Sequence, residues 1–229
     1  MKCVVPLAGG DIVHPEHGFR PWFPVDGVPL LSKALNQRAW CHLLSARDYL
    51  FVVRQVPGVE RLCAWLAQEW PGCMVLTLPA MTAGAMFTAM AGVALLPRDD
   101  EAIIIDLADI LFATGPSDPA ALMTSDVGAV IPCFESNEPC YSYLRFENGT
   151  VVEAAEKRVI SNHASAGVYA FRDRQLFLEA ASYSIAAADR LAHKGIQFIC
   201  PMANGVIASG ARVLAPKVDD VVPVGKFFH

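Results

Sequence analysis

The run "AIIIDLADIL" at residues 102–111 constrains the fold more than any other stretch of the chain. Three consecutive isoleucines, with no polar residue between them, leave neither face of a strand fit for water, so both faces must be covered. The neighbouring segments repeat the demand. "KCVVPLA", "YLFVVRQ" and "CMVLTLP" are apolar runs of strand length. Between them lie helical patterns: Leu30, Leu31, Leu35 and Trp40 near one face of "PLLSKALNQRAW", Leu62, Trp65, Leu66 and Trp70 in register along "VERLCAWLAQEW", and then "AGAMFTAMAGVALL". Strand-helix alternation with doubly covered strands makes a mostly parallel α/β sheet.

From about Val127 the pattern changes. "VGAVIPCF", "YSYLRFE", "TVVEAAEK" and "SAGVYAF" are closely spaced strands, and "FENGTVV" is a hairpin turning on Asn148-Gly149. "RQLFLEAASYSIAAADRLAH" predicts one long amphipathic helix, followed by short strands in "IQFICPM" and "ARVLAPK". The expectation is a single domain over residues 1–229, with a parallel half (1–126) continued by an antiparallel-rich half (127–229). At 54% hydrophobic and 18% charged the chain is no disordered segment. A net charge of -5 without a basic cluster excludes a nucleic-acid partner. Apolar stretches broken by Gly, Pro or Asp short of a bilayer's thickness exclude a membrane one. Seven cysteines, odd in number and without a C-x-x-C pair, read as buried thiols. Met1-Lys2 runs straight into "CVVPLAGG" without a signal-peptide pattern, so the expected location is cytoplasmic.

In a parallel sheet, ligands collect beyond the carboxyl ends of the strands. Three loops belong there: residues 8–20, the turn before Ala83-Gly84, and Asp106 to Asp109. Glycines at 9, 10 and 84 would let backbone approach a ligand closely, although neither a P-loop nor G-x-G-x-x-G is present. The first cation after Gly9-Gly10 is Arg20, with His14 and His17 before it. Pro15 between those histidines argues against a metal-binding helix face. Asp106 and Asp109 emerge from a buried strand, where a carboxylate needs a cation or a hydrogen-bond partner. Two readings stay open there: magnesium carrying a triphosphate, or one Asp capping the next turn.

Taken in order, "VPLAGG…FRPWFPVDGVPLL", "TAGAMFTAM", "IIIDLAD" and "YSYLRFENGTVVEAAEKRVISNHASAGVYAF" resemble the sugar-phosphate nucleotidylyltransferases over nearly the whole chain. The most specific part is "VVEAAEKRVISNHASAGVYAF", which follows that family's Glu-Lys, serine, Gly-(Ile/Val)-Tyr-x-Phe pattern. The resemblance implies a Rossmann-like three-layer α/β/α fold, a nucleotide-binding half over 1–126 and a sugar-binding half over 127–229. It also implies an enzyme that joins a sugar 1-phosphate to a nucleoside triphosphate and releases pyrophosphate, using Mg2+, for surface or capsular polysaccharide. Carried over by residue, it assigns Ala8, Gly9 and Gly10 to the triphosphate and Thr82 and Gly84 to the base. Glu156, Lys157 and Gly167 fall at the sugar phosphate, Asp109 at the metal, and Arg20 at the catalytic cation.

Departures from the pattern accompany the matches. Ile12, Val13 and His14 stand where the family loop has Gly, a hydroxyl residue and Arg, so the phosphate loop is degenerate and takes another shape. Arg20 replaces a lysine, a planar fork for a point charge. "PKVDDVVPVGKFFH" carries neither the Gly-Thr-Pro-x-Asp stretch nor a matching second metal aspartate, and Asp219 and Asp220 read as solvated turn residues. Two alternatives follow: a non-catalytic relative that binds a sugar phosphate or nucleotide sugar, and an A-type glycosyltransferase using Asp106-x-x-Asp109. The composition leaves a homo-oligomer open.

Overall fold

Side-chain alternation along the apolar runs organises the molecule. The structure is a computed structural model and describes residues 1–225. In β1 (Lys2–Leu7), Cys3, Val5 and Leu7 face one way and Val4 the other. The same split runs through β2 (Tyr49–Arg54), with Phe51 and Val53 on the first face and Leu50 and Val52 on the second. It recurs in β4 (Ile103–Asp106), where Ile104 opposes Ile103 and Ile105. Helices α1 (Leu30–Asn36) and α2 (Val59–Glu69) cover the first face through Leu30, Leu31, Leu62 and Leu66. Helices α3 (Ala85–Val93) and α4 (Arg174–Ala186) cover the second through Met86, Ala89, Phe177 and Ala180. The three isoleucines are fully buried, as a doubly covered strand requires. The result is a three-layer α/β/α sandwich.

With β3 (Met74–Leu78), β6 (Val127–Val130), β11 (Val168–Phe171) and β12 (Arg212–Leu214), the main sheet has seven strands in the order β12-β6-β11-β4-β1-β2-β3. Only β11 runs against the others, pairing antiparallel with both β4 and β6. A second sheet joins β7 (Cys133–Glu135), β10 (His163–Ser165), β8 (Ser142–Glu147) and β9 (Thr150–Glu156) in that order. Its β8–β9 hairpin turns on Asn148 and Gly149, both at positive φ (49° and 77°), the geometry an Asn-Gly pair favours.

Several expected elements come out divided. "VGAVIPCF" and "SAGVYAF" each bend between the two sheets, giving β6 then β7 and β10 then β11, with Gly167 at φ 76° making the second bend. "AIIIDLADIL" is not one strand. It breaks after Asp106 because the Asp106 carboxylate accepts from the Ala108 N–H (2.9 Å) and Ala108 turns left-handed. β5 (Ile110–Leu111) then pairs with β13 (Val222–Pro223) instead. The long helix stops at Ala186 and restarts as α5 (Ala188–Leu191), with Ala187 outside helical geometry. "IQFICPM" is no strand. Gln197 runs beside Ala83 and Gly84, and Cys200–Met202 is a 3-10 turn leading into α6 (Ala203–Ala208). Trp40 lies beyond α1, buried against Phe112. All seven cysteines are free thiols, but only Cys3, Cys133 and Cys200 are buried; Cys41, Cys63 and Cys73 are half-buried and Cys140 is exposed. Among the described residues, no helix is long and apolar enough to cross a membrane.

Candidate functional site

A cavity of about 650 Å³ opens at the carboxyl ends of β1 and β4, between the main sheet and the β7–β10 sheet. All ten residues assigned from the family resemblance line it: Ala8, Gly9, Gly10, Arg20, Thr82, Gly84, Asp109, Glu156, Lys157 and Gly167. They come from five segments spread over 160 residues, and the crossing of the two sheets brings them together. Asp106 does not line it.

The two aspartates of "IIIDLAD" have separate fates. Asp106 is bound bidentately by Arg38, Nε to Oδ2 at 2.8 Å and Nη2 to Oδ1 at 2.9 Å, with both side chains almost wholly buried. The Arg38 guanidinium also stacks over Phe112, 4.1 Å from the ring centre. Asp106 therefore caps the turn and neutralises a core arginine. The glycosyltransferase reading, which needs both carboxylates at the ligand, loses one of them.

Asp109 is different. It is half-buried, it faces the cavity, and its Oδ1 is shut off from solvent with no hydrogen-bond partner among the described residues. Burial pushes its carboxyl above the usual range, while the Arg20 guanidinium works against that rise. Backbone closes in on two sides. A Cβ at Gly167 would come within 3.1 Å of Asp109 Oδ1, and one at Gly225 within 3.0 Å of Asp109 Cβ. Gly225 also donates its N–H to the Asp109 carbonyl at 2.8 Å. A carboxylate oxygen buried without a partner among the described residues suits a hard divalent cation. No group of three or more His, Cys, Asp or Glu among the described residues could cage one, so a cation held at Asp109 would need further oxygens from elsewhere. The carboxylates lining the cavity are Asp11, Asp109 and Glu156, so the chain end contributes none among the described residues. Asp219 and Asp220 are exposed, Asp219 bonded through its backbone to Ala113 and Thr114 and Asp220 in a bend at φ 52°.

On the second-sheet side, Glu156 ends β9 opposite Ser142, whose hydroxyl donates to Glu156 Oε2. Burial raises the Glu156 carboxyl to about 7, opposed by the Ser142 hydrogen bond and the Lys157 charge. Lys157 follows at φ 50°, a left-handed conformation uncommon for a non-glycine residue. Its N–H bonds the Tyr141 carbonyl (3.0 Å) and its ammonium sits 5.2 Å from the Phe198 ring centre. Because the folded pKa of Glu156 exceeds the unfolded value of 4.5, the native state holds the extra proton. Its contribution to stability is complete below about pH 4.5 and is lost as pH rises through about 7. Melting temperature is expected to fall across that window, by the equivalent of up to about 3 kcal/mol, and Glu156→Gln should flatten the fall. Equal pH slopes in both proteins would refute this.

At the nucleotide end the loop after β1 forms a 3-10 turn, Gly10–Ile12, with Gly9 at an ordinary φ of -68°. Ile12 is buried in the core, so the loop is built without the left-handed residue that a glycine would supply there. Arg20 is itself buried, and its guanidinium is ion-paired with Asp11. Thr82 Oγ1 donates to the Gly84 carbonyl (2.8 Å) and lies 2.7 Å from Thr88 Oγ1. Gly84, at φ 135°, presses against Gln197, where a Cβ would stand 2.8 Å from the Gln197 N and C atoms. Thr82 and Gly84 thus shape the wall by internal contacts. His14 and His17 stack on each other (4.6 Å) away from the cavity lining.

Asp11, Ser142 and Phe198 went unnoticed in the sequence. Asp11 lay in plain view beside the glycine pair. Ser142 was recoverable only with the hairpin register, and Phe198 sat in a segment read as a strand.

No family model matches the sequence, and no curated protein matches it by sequence. Solved structures do match. A nucleoside-diphosphate-sugar pyrophosphorylase from Vibrio cholerae RC9 superposes with a TM-score of 0.81 at 20% identity, covering 97% of this chain and 95% of that one. A protein designated a glucose-1-phosphate thymidylyltransferase from Bacillus anthracis gives 0.76 at 15% identity, covering 98% and 90%. A UDP-glucose pyrophosphorylase complexed with UDP-glucose gives 0.69 at 15% identity, covering 98% and 93%. The chain has the nucleotidylyltransferase fold, Rossmann-like and mostly parallel. At these identities the likeness extends to the fold, and the chemistry has to be argued from the cavity.

Proposed function

We propose that the protein is a nucleotidylyltransferase, joining a sugar 1-phosphate or similar phosphorylated substrate to a nucleoside triphosphate and releasing pyrophosphate. The supporting observation is Asp109: a carboxylate in the cavity lining with one oxygen buried and unpartnered among the described residues. It stands where the reacting phosphates of two ligands would meet. The sugar-phosphate oxygen forms the new bond to the α-phosphorus, and the α–β bridging oxygen leaves with the electron pair as pyrophosphate. The nucleophile is already ionised, so no general base is needed, and the task is to align two polyanions and offset their charge.

In this reading, backbone at Ala8, Gly9 and Gly10 borders the triphosphate, and Thr82 and Gly84 form the wall beside the base. Glu156 and Lys157 grip the sugar and its phosphate, with Gly167 closing that end. Arg20 is the cation of the triphosphate side. The lining offers two cations, Arg20 and Lys157, and Arg20 is already paired with Asp11, so the protein alone cannot balance the incoming phosphates. Magnesium, held by Asp109, would supply that charge. The product would be an activated sugar made in the cytoplasm for surface or capsular polysaccharide.

A panel of triphosphates and sugar 1-phosphates with magnesium is expected to give pyrophosphate release, reduced at least about a hundredfold in Asp109→Ala. No turnover above that variant across the panel would sink the catalytic reading. The Asp11–Arg20 ion pair favours a second reading, a non-catalytic binder of a sugar phosphate or nucleotide sugar. A ligand at 100 times its dissociation constant would then raise stability by about 2.7 kcal/mol, visible as a thermal shift without turnover.

A further inference from the structure

The phosphate loop carries its own anion. Asp11 follows the glycine pair directly, and its carboxylate folds back on the loop: Oδ1 crowds the position a Cβ of Gly9 would take, and Oδ2 accepts from Arg20 Nη1. The Asp11 carboxylate thus covers the open backbone that Gly9 offers to a ligand, and it occupies the guanidinium on the triphosphate side of the cavity. The Arg20 side chain is 9% exposed and that of Asp11 17%, so solvent screens the pair weakly. We propose that Asp11 is a built-in counter-anion that competes with polyphosphate for Arg20, and so limits the affinity of the loop for the triphosphate. This rests on the nucleotidylyltransferase reading of the cavity.

A polyphosphate oxygen seated on Gly9 and Arg20 must first displace the Asp11 carboxylate, an anion like itself. Arginine binds either anion through the same fork, so the exchange returns little until a second cation helps. Triphosphate binding is then coupled to rotation of one short side chain. The loop backbone has independent anchors. Ile12 is buried at its far end, and Arg54 donates from Nη2 to the Gly9 carbonyl at 3.3 Å. Losing the Asp11 charge therefore leaves the loop in place.

The test is calorimetric titration with inorganic pyrophosphate, without magnesium and at fixed ionic strength, of wild type, Asp11→Asn and Asp11→Ser. Each variant is first checked for an unchanged melting profile, and two replacements guard against one failing to fold. Both are expected to bind pyrophosphate at least tenfold more tightly, and adding Arg20→Gln to Asp11→Asn should erase the gain. Equal affinity would overturn the proposal while leaving a pyrophosphate site intact. Weaker binding would overturn it too, making Asp11 the residue that positions Arg20 for the ligand. Failure of every form, wild type included, to bind pyrophosphate would overturn both this proposal and the polyphosphate reading of the loop. Tighter binding in the variants without nucleotidyl transfer in wild type would leave Asp11's role standing and remove only the catalytic assignment.

Discussion

Replacing Asp106 with alanine is expected to cost about 3–5 kcal/mol of folding stability, the range for breaking a buried ion pair from one side. The Arg38 side chain is 2% exposed and would keep its charge, since a guanidinium does not deprotonate in proteins. The Phe112 ring under it cannot take two N–H donors in the plane of the fork. The Ala108 N–H would lose its acceptor as well, and with it the turn that aims Asp109 into the cavity. A paired replacement, Arg38→Met with Asp106→Ala, removes both charges and should recover part of the loss. Denaturant midpoints for the three proteins check this. A single replacement within about 1 kcal/mol of wild type would show that the pair carries no such weight.

Gly84→Ala is expected to be about as damaging for a different reason. Its backbone, φ 135° and ψ 168°, is a conformation that side-chain-bearing residues rarely adopt, at a cost of order 1–3 kcal/mol. The added methyl would also overlap the Gln197 carbonyl oxygen, a backbone atom that cannot swing aside. Gln197 is tied to this strip by N–H donation to the Ala83 carbonyl (2.9 Å) and acceptance from the Met86 N–H (3.3 Å). Overpacking adds a further 1–3 kcal/mol, so a loss of roughly 3–5 kcal/mol is expected by denaturant unfolding. The cavity wall from Thr82 to Phe198 would move with it. A fully stable variant would show that the 195–199 segment yields easily, and that Gly84 is free to serve a ligand instead.

These two positions show what pattern can and cannot convey. The glycine at 84 stood out as a place of close backbone approach, and close approach is what it makes, though to Gln197 within the chain. Asp106 and Asp109 stood out together as carboxylates at the end of a buried strand. Depth alone demands a partner for each, and it cannot say that one partner is Arg38, contributed by the chain 68 residues earlier. Glu156 is subtler still. Counting outward from the Asn148-Gly149 turn in strict register puts Ser142 opposite Ala155. The irregularity between Arg145 and Phe146 shifts the pairing by one residue, so Ser142 meets Glu156 instead. A bulge leaves little trace in an apolar pattern.

The local periodicities of this chain determine its layers: isoleucines and valines that require two covers, helices with one apolar stripe, and an Asn-Gly turn that accepts only a tight hairpin. Those depend on neighbours within a few residues, which the sequence displays directly. Tertiary structure alone decided where "VGAVIPCF", "SAGVYAF" and "AIIIDLADIL" bend from one sheet to another. It also decided which aspartate is consumed in the core, and that Asp11 lies over Gly9 with Arg20 in its grip. Each of those depends on groups distant in the chain meeting where water is excluded, and desolvation there makes a partner obligatory without naming it in advance.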